Sequence, residues 1–340
     1  MLRTKLTEQY GLEFPFVSAG MGFIALPELV AAVSNAGGLG LLGVGPAPPP
    51  AMRAMIQGVK SLTSRPFGVD LIIAETLFGP ASTGEHIEVC VNEGIELVVF
   101  FWNLPPAEWM ARLHEAGAKV WMQVGTVERA REAVALGMDA IIVQGSEAGG
   151  HNHSSVALFS LLPAVVDAVA PVPVIAAGGI ADGRGVAAAL ALGADGVCVG
   201  TRLIASREAY AHDEYKRRIV AATAADIART CLFGPEWPDQ PMKVIRNRVL
   251  REWAGRDERT PPPPDPPQSI GRTLLGGHEY PMPKFSAALP TPDTSGDFEE
   301  MCLAAGESAG LVKEIKPTAE IVREMMDEAQ RIIHHSEETE

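Results

Sequence analysis

A histidine that follows two glycines is the residue whose type and position best suit chemistry. His151 ends the segment EAGGH, directly after an apolar run at 140–145. An imidazole exchanges protons close to neutral pH, because its ordinary pKa is about 6.5. We therefore predict that His151 is the catalytic residue.

Two glycine-containing segments have the composition of a phosphate site. Gly178, Gly179 and Ile180 precede one helix-like segment, and Gly200 and Thr201 precede the next. Backbone N–H groups at such turns and at helix N-termini bind phosphate, and barrel enzymes often place this site after their seventh and eighth strands. We expect these five residues to bind a phosphate group.

These residues need a scaffold that brings distant segments together, and the apolar runs predict one. Continuous apolar runs, which are typical of strands buried on both faces, alternate with helix-like segments up to about residue 205. Eight such units predict an α/β fold, a (β/α)8 TIM barrel with function at the carboxyl ends of its strands. A doubly wound open sheet is the alternative. The runs lie at 14–20, 38–44, 67–73, 96–101, 119–124, 140–145, 172–179 and 196–201.

The composition changes after about residue 210. The proline-rich segment 260–268 (TPPPPDPPQ) can join neither a helix nor a central strand, because proline lacks an N–H. We predict a small helical cap insertion at 211–277, and a barrel domain formed by 1–210 and 278–340. Helices are expected in this part of the chain at 215–230, 238–256, 297–312 and 316–333.

Charge and cysteine content argue against several classes of protein. The formal net charge is −14, from 28 basic and 42 acidic residues, without the basic patch of a protein that binds nucleic acid or anionic membranes. The four cysteines lie far apart, so neither a zinc site nor a disulfide framework is indicated. The first residues lack the apolar segment of a signal peptide, and no apolar stretch is long enough to span a bilayer. We expect a cytoplasmic enzyme without nucleic-acid or membrane partners.

Two further motifs have competing interpretations. The segment 38–43 (GLGLLG) matches the G-x-G-x-x-G pattern of dinucleotide-binding folds. That pattern must open a helix, whereas here it lies inside an apolar run and a proline-rich segment follows. His151 and His153 have the type of metal ligands, but no third ligand can be assigned. We predict neither a Rossmann site nor a bound metal.

The chain resembles the nitronate monooxygenase family, formerly called 2-nitropropane dioxygenases, which is similar to the flavin-dependent enoyl-acyl-carrier-protein reductases. The order and spacing of its motifs hold over nearly the whole chain. These motifs are SAGMGF (18–23), AGGLG (36–40), FGVD (67–70), EAGGH (147–151), AAGGIADGRGV (176–186), GADGVCVGTRL (193–203) and AGESAGLV (305–312). The resemblance implies a barrel that holds FMN and a cap that closes the substrate pocket.

The roles of individual cofactor residues follow from this resemblance. It implies that the segment 19–21 borders the flavin ring, that Gln123 hydrogen-bonds the polar edge of the ring, and that His151 lies over it. The two glycine-containing turns would hold the FMN phosphate. The other residues that the resemblance assigns to the cofactor site are Ala19, Gly20, Met21, Asp70, Gln123, Gly150 and Ser308.

The chain departs from the family pattern at three places. Family members commonly have a proline in the first motif and an asparagine in FGVN, where this chain has Ala19-Gly20 and Asp70. Two residues after EAGGH the family usually has a glycine, and this chain has His153. An aspartate beside a flavin adds a negative charge where an amide is expected, which would alter its redox properties.

The resemblance implies oxidation of alkyl nitronates or nitroalkanes with O2 to carbonyl compounds and nitrite. His151 would donate a hydrogen bond to a nitronate, or remove the α-proton of a nitroalkane. An NAD(P)H-dependent reductase of quinones or enoyl thioesters on the same barrel is the first alternative. A flavin-free barrel that binds phosphate is the second. The predicted partners are a small-molecule substrate and O2.

Overall fold

Eight parallel strands form the centre of the molecule. A computed structural model describes residues 2–256, 259–262, 264, 266, 268–275 and 278–337. The strands coincide with the eight predicted apolar runs, because each run is buried on both faces. In chain order they are β1 (Phe16–Ser18), β2 (Gly40–Gly43), β3 (Phe67–Ile73), β4 (Leu97–Trp102), β5 (Lys119–Val124), β6 (Ala140–Gln144), β7 (Val174–Ala177) and β8 (Gly196–Val199).

The strands close into a barrel. Each pairs with its sequence neighbours in the order β1-β8-β7-β6-β5-β4-β3-β2. A parallel bridge between Val17 and Leu39 joins β1 to the chain just before β2. In this seam the Ser18 N–H donates to the Leu39 carbonyl at 3.0 Å, and the Leu39 N–H donates to the Phe16 carbonyl at 2.8 Å. The predicted (β/α)8 TIM barrel is therefore confirmed, and the open sheet is excluded.

Helices surround the barrel and bury an apolar layer against the outer faces of the strands. Several begin at a proline or at a capping threonine or aspartate. The α-helices in the described residues are α1 (Lys5–Tyr10), α2 (Pro27–Asn35), α3 (Pro49–Leu62), α4 (Gly84–Asn92), α5 (Ala107–Glu115), α6 (Val127–Ala135), α7 (Leu158–Val169), α8 (Gly183–Ala191), α9 (Thr201–Ile204), α10 (Asp213–Ala221), α11 (Arg248–Trp253) and α12 (Thr318–Glu337).

A second apolar cluster fills the interior of the barrel. Leu41, Leu97 and Trp121 point inward, and Leu6 of α1 and Leu12 pack against the same cluster. The amino-terminal end of the barrel is thus closed by α1. A ligand can reach the interior only from the opposite end, where the strands have their carboxyl termini.

The segment between the barrel and α12 mixes strands with helices. An antiparallel sheet joins Ile227–Thr230 to Met242–Ile245, and the latter also pairs with Gly150–His151. A hairpin of Ser269–Leu275 and His278–Pro283 spans the predicted boundary after residue 277. The exact division of the chain into a barrel and a cap stays a prediction.

Two predicted helices were wrong, and the helix predicted at 215–230 ends at Ala221, because Ile227–Thr230 pairs as a strand. The segment 238–256 forms the strand Met242–Ile245 and the short α11, because Asn247 accepts a hydrogen bond from the Leu250 N–H and starts a new helix. The segment 297–312 is irregular, apart from a 3-10 turn at Glu307–Leu311. Among the described helices none is both long and apolar enough to cross a membrane.

Candidate active site

The floor of the site consists of the last inward-facing residue of several strands. Side chains alternate along a strand, so the residue two places after an inward one also points inward. Ala19, Gln123 and Gln144 each follow an inward-facing residue by two positions. These positions lie on different strands, and the closed barrel brings them to one mouth.

The loop after β1 lies directly on Asp70. A Cβ atom at Gly20 would lie 2.2 Å from the Asp70 Cβ and 2.8 Å from its Oδ2, so only glycine fits there. A Cβ atom at Gly200, after β8, would lie 3.5 Å from the Ala19 Cβ and 3.7 Å from the Met21 Sδ. Residues that the sequence placed in the cofactor site from three different strands therefore surround one space.

Asp70 is a buried carboxyl without a partner. Its residue is 6% exposed, and its carboxyl oxygens make no hydrogen bond or ion pair within the described chain. Burial raises the pKa of Asp70 to about 8, because a charged carboxylate loses its hydration there. The group is therefore mainly a neutral acid at pH 7.

The turns after β7 and β8 offer free backbone donors. The N–H groups of Gly178, Gly179, Ile180, Gly200 and Thr201 make no hydrogen bond to any described residue. Gly200 is the N-cap of α9 and has no side chain to occupy the helix end. Such donors are the groups that bind a phosphate.

The N-terminus of α8 does not take part in this cradle. The Asp182 carboxylate accepts from the Gly185 N–H at 3.2 Å, and Glu328 of α12 accepts from the Gly183 N–H at 2.7 Å. Two carboxylates at this helix end would repel a phosphate. Of the two helix ends that the sequence indicated, only the start of α9 keeps free donors, and on the other side the 178–180 turn itself has them.

His151 lies under the cap, next to two tryptophans. Its ring centroid is 5.7 Å from that of Trp102 and 4.6 Å from that of Trp237. The Gln144 amide donates to the His151 carbonyl at 3.2 Å, and the strand of Gly150 and His151 pairs with the cap. The structure therefore places His151, the predicted catalytic residue, on the cap sheet at the mouth of the barrel.

The His151 imidazole is neutral. Its Nε2 atom is buried and has no hydrogen-bond partner among the described residues. Burial, with a contribution from His153, lowers the pKa of His151 to about 4. A buried polar atom without a partner is uncommon in proteins and indicates a site that a ligand completes.

Cations gather around His153 at the rim of the site. Its ring stacks on Trp102 with the centroids 3.5 Å apart, and Trp102 holds a left-handed backbone with φ of +86°. Burial, together with the charges of Arg129 and Arg229, lowers the pKa of His153. Strained backbone of this kind concentrates at functional sites.

The segment at 305–308 returns to the mouth from the far end of the chain. The Gly306 N–H donates to Thr201 Oγ1 at 3.0 Å, and the Glu307 N–H donates to the Glu147 carbonyl at 2.9 Å. Ser308 is buried in the 3-10 turn that follows. This segment therefore holds the loops after β6 and β8 together.

Two residues of the site were not predicted. Gln144 could have been found, because it ends an apolar run at an inward position. Trp237 lies in a loop of the cap, where no sequence pattern relates it to the barrel. Within the described residues, no three His, Cys, Asp or Glu side chains are grouped so that they could hold a metal.

The residues at the mouth fit a flat polar ring with a phosphate tail. The free donors at 178–180 and 200–201 suit the phosphate, and at Gly20 the backbone rather than a side chain faces Asp70. The Gln123 amide, which has no described partner, and the acid of Asp70 suit the polar edge of that ring. A flavin mononucleotide has this combination of groups.

The family model of nitronate monooxygenase matches residues 3–328. The chain therefore belongs to the nitronate monooxygenase family, whose members are flavin-dependent oxidoreductases. It is an oxidoreductase that acts on small molecules, as predicted.

Three relatives illustrate the range of the family. The chain is 36% identical over 355 residues to (3aS,4S,5R,7aS)-5-hydroxy-7a-methyl-1-oxo-octahydro-1H-indene-4-carboxyl-CoA dehydrogenase of Mycobacterium tuberculosis, with 96% of each protein covered. FabK of Thermotoga maritima superposes with a TM-score of 0.81 and 32% identity over the full length of both chains. Nitroalkane oxidase of Streptomyces ansochromogenes superposes with a TM-score of 0.78 and 29% identity over 96% and 98%.

Proposed function

We propose that the protein is an FMN-dependent nitronate monooxygenase in which His151 holds the substrate. The buried Nε2 of His151, which no described residue satisfies, carries this proposal. Bound FMN would supply the electron transfer between substrate and O2. The turns at 178–180 and 200–201 would hold its phosphate, and residues 19–21, Asp70 and Gln123 its ring.

The state of His151 favours a nitronate over a nitroalkane. An imidazole with a pKa of about 4 is a weak base, so it is poorly matched to removing the α-proton of a neutral nitroalkane. Its neutral form can donate the Nε2–H to a nitronate oxygen, which already carries negative charge. Trp102 and Trp237 beside the ring would exclude water from this contact. The products would be a carbonyl compound and nitrite.

The test is nitronate-dependent oxygen consumption by the FMN-loaded enzyme and its variants. We expect His151→Asn to retain FMN and to lower turnover roughly ten- to a hundredfold, the value of a well-placed hydrogen bond to a charged substrate. The neighbouring His153→Asn is the matched control, and it should stay within a few-fold of the wild type. Equal turnover in all three proteins would remove His151 from the reaction.

A CoA-thioester dehydrogenase is a second candidate, and the cations at the rim favour it. Arg229 donates to the carbonyls of Ser154 at 3.4 Å and Asn152 at 3.5 Å, and no described carboxylate pairs with it. Arg129, which pairs with Glu132, lies in α6, whose preceding loop packs against Ser154. The phosphates of CoA need such cations. The full-length similarity to a carboxyl-CoA dehydrogenase supports the same substrate class.

Anaerobic reduction of the bound flavin separates the candidates. A hydroxyacyl-CoA that bleaches the flavin would favour the dehydrogenase, and bleaching by NADH or NADPH would favour a reductase. If the rim binds CoA, Arg229→Gln should raise KM for the thioester while the exposed control Arg131→Gln leaves it unchanged. If none of these compounds bleaches the flavin and the enzyme consumes oxygen with a nitronate, the monooxygenase is the remaining candidate.

A further inference from the structure

Asp70 is the least ordinary group at the mouth of the barrel. It lies on the inward face of β3, opposite Gly43 of β2 and Val99 of β4. The loop at Gly20 covers it. An ionised carboxyl that is buried without a cation or a hydrogen-bond donor is strongly unfavourable.

No described charge near Asp70 compensates its ionisation. The Cys198 thiol lies close enough to feel the charge of Asp70, and its pKa is raised by burial and by Asp70. A neutral thiol cannot stabilise a carboxylate by charge. Gly20 lies against the Asp70 side chain, and the Met21 backbone lies against Gly43, so the loop after β1 packs directly onto the carboxyl.

We propose that Asp70 carries a proton and donates it in a hydrogen bond to the flavin, so that cofactor binding and reduction are linked to the protonation of this one carboxyl. The inference rests on the proposed FMN site and assigns a positioning role that the amide of the family pattern cannot have. An amide donates at every pH, whereas a carboxyl donates only while it is protonated.

The linkage between flavin reduction and the protonation of Asp70 follows from the charge of the carboxylate. Deprotonation of Asp70 removes a donor and places a negative charge beside the ring. A reduced flavin carries more electron density than an oxidised one, so the carboxylate disfavours reduction. By reciprocity, reduction by the substrate raises the proton affinity of Asp70, and above its pKa the carboxylate takes up a proton from solvent. The pKa of about 8 puts this exchange in an accessible pH range.

The affinity for FMN, measured between pH 6 and pH 10, tests whether Asp70 donates a hydrogen bond to the flavin. The wild type should lose affinity on the order of tenfold as the carboxyl ionises, the value of one charge-assisted contact. The Asp70→Asn variant has an amide that donates at all pH values, so its affinity for FMN should change little over this pH range. Asp70→Ala should bind weakly throughout. Superimposable pH profiles for the wild type and Asp70→Asn would overturn the inference.

The reduction potential gives a readout that is independent of turnover. The potential of the bound flavin should fall more steeply with pH in the wild type than in Asp70→Asn above about pH 8. Infrared difference spectra of the cofactor-free protein should contain a protonated carboxyl band that titrates in this range and is absent in Asp70→Asn. A missing band would contradict the inference.

The outcomes separate the two proposals. If no variant binds FMN at any pH, both the proposed function and the role of Asp70 fail. If FMN binds and the potentials of the wild type and Asp70→Asn run parallel, only the role of Asp70 fails. Nitronate activity is not needed for either result.

Discussion

At the scale of single residues, burial is the main determinant of the charge state of the site. His151 and Asp70 have opposite charges when ionised, yet both are held neutral because neither has a compensating partner. The site therefore presents two neutral groups that can act as hydrogen-bond donors. This arrangement suits an anionic substrate and an electron-rich ring better than ionised groups would.

The stability of the cofactor-free protein should report the charge state of Asp70. Its folded-state pKa of about 8 lies above the ordinary value of 3.8, so its contribution is fully present below about pH 4 and is lost as the pH rises through 8. Asp70→Asn should remove this loss, of which about 3 kcal/mol falls between pH 6 and pH 9. Urea unfolding at pH 6 and pH 9 measures the difference between the two proteins. If the difference in unfolding free energy between the two proteins does not grow with pH, Asp70 is not a neutral acid in the folded protein.

His151 should have the opposite effect on stability. Its folded-state pKa of about 4 lies below the ordinary 6.5, so its contribution is present above about pH 6.5 and is lost as the pH falls through 4. His151→Asn should reduce the loss of unfolding free energy between pH 7 and pH 4. His278→Asn, at an exposed position of the hairpin, serves as the comparison in the same urea titrations. Equal acid sensitivity in the wild type and His151→Asn would place the imidazole in solvent.

At the scale of elements, the site depends on loops from distant parts of the chain. The loop after β6, the start of α9 and the segment at 305–308 meet with their backbones in contact. A Cβ at Gly149 would lie 2.4 Å from the Gly306 N atom, so no side chain fits between them. The phosphate-binding turn at 200–201 is thereby tied to the loop that carries His151.

Gly149→Ala should separate these elements. The added methyl must displace backbone rather than a flexible side chain, and we expect a loss of about 1–3 kcal/mol in unfolding free energy together with weaker FMN binding. Gly84→Ala is the control, because the nearest atom to its Cβ is Trp109 Nε1 at 3.8 Å. Thermal unfolding and FMN titration measure both effects. Wild-type behaviour of Gly149→Ala would mean that the segment at 305–308 does not position the site.

At the scale of the whole molecule, the barrel and the cap form the two sides of one site. The barrel contributes the floor and the turns that we propose to bind the phosphate, and the cap sheet fixes His151 by pairing Met242 with it. A ligand that contacts both sides stabilises the folded chain in proportion to its affinity. The protein without cofactor should therefore unfold at a lower temperature than the loaded protein.

Comparison of FMN with riboflavin tests the phosphate donors. FMN at a hundred times its Kd should add about 2.7 kcal/mol to the unfolding free energy. Riboflavin, which has the same ring and no phosphate, should stabilise less at equal concentration. Scanning calorimetry with each ligand gives both values. Equal stabilisation by the two ligands would show that the turns at 178–180 and 200–201 do not hold the phosphate.

The strands and the general location of the site could be predicted from local patterns. Each barrel strand is a short apolar run buried on both faces, and the residue after such a run must lie at the carboxyl end of the barrel. The segments 238–256 and 297–312 were assigned to helices wrongly, because tertiary pairing and capping decide their conformation. Trp237 could not be placed, since its position depends on how the cap folds over the mouth.

The sequence by itself predicted an α/β barrel, fixed the acidic charge of the protein, and gave the positions of His151 and the two glycine-containing turns in chain order. These properties depend on residue type and on periodicity, which are local. Only the tertiary structure decided that His151 and Asp70 are neutral, that carboxylates fill the start of α8, and that Gly306 holds Thr201. Each of these depends on burial and on contacts between segments far apart in the chain, which no local pattern records.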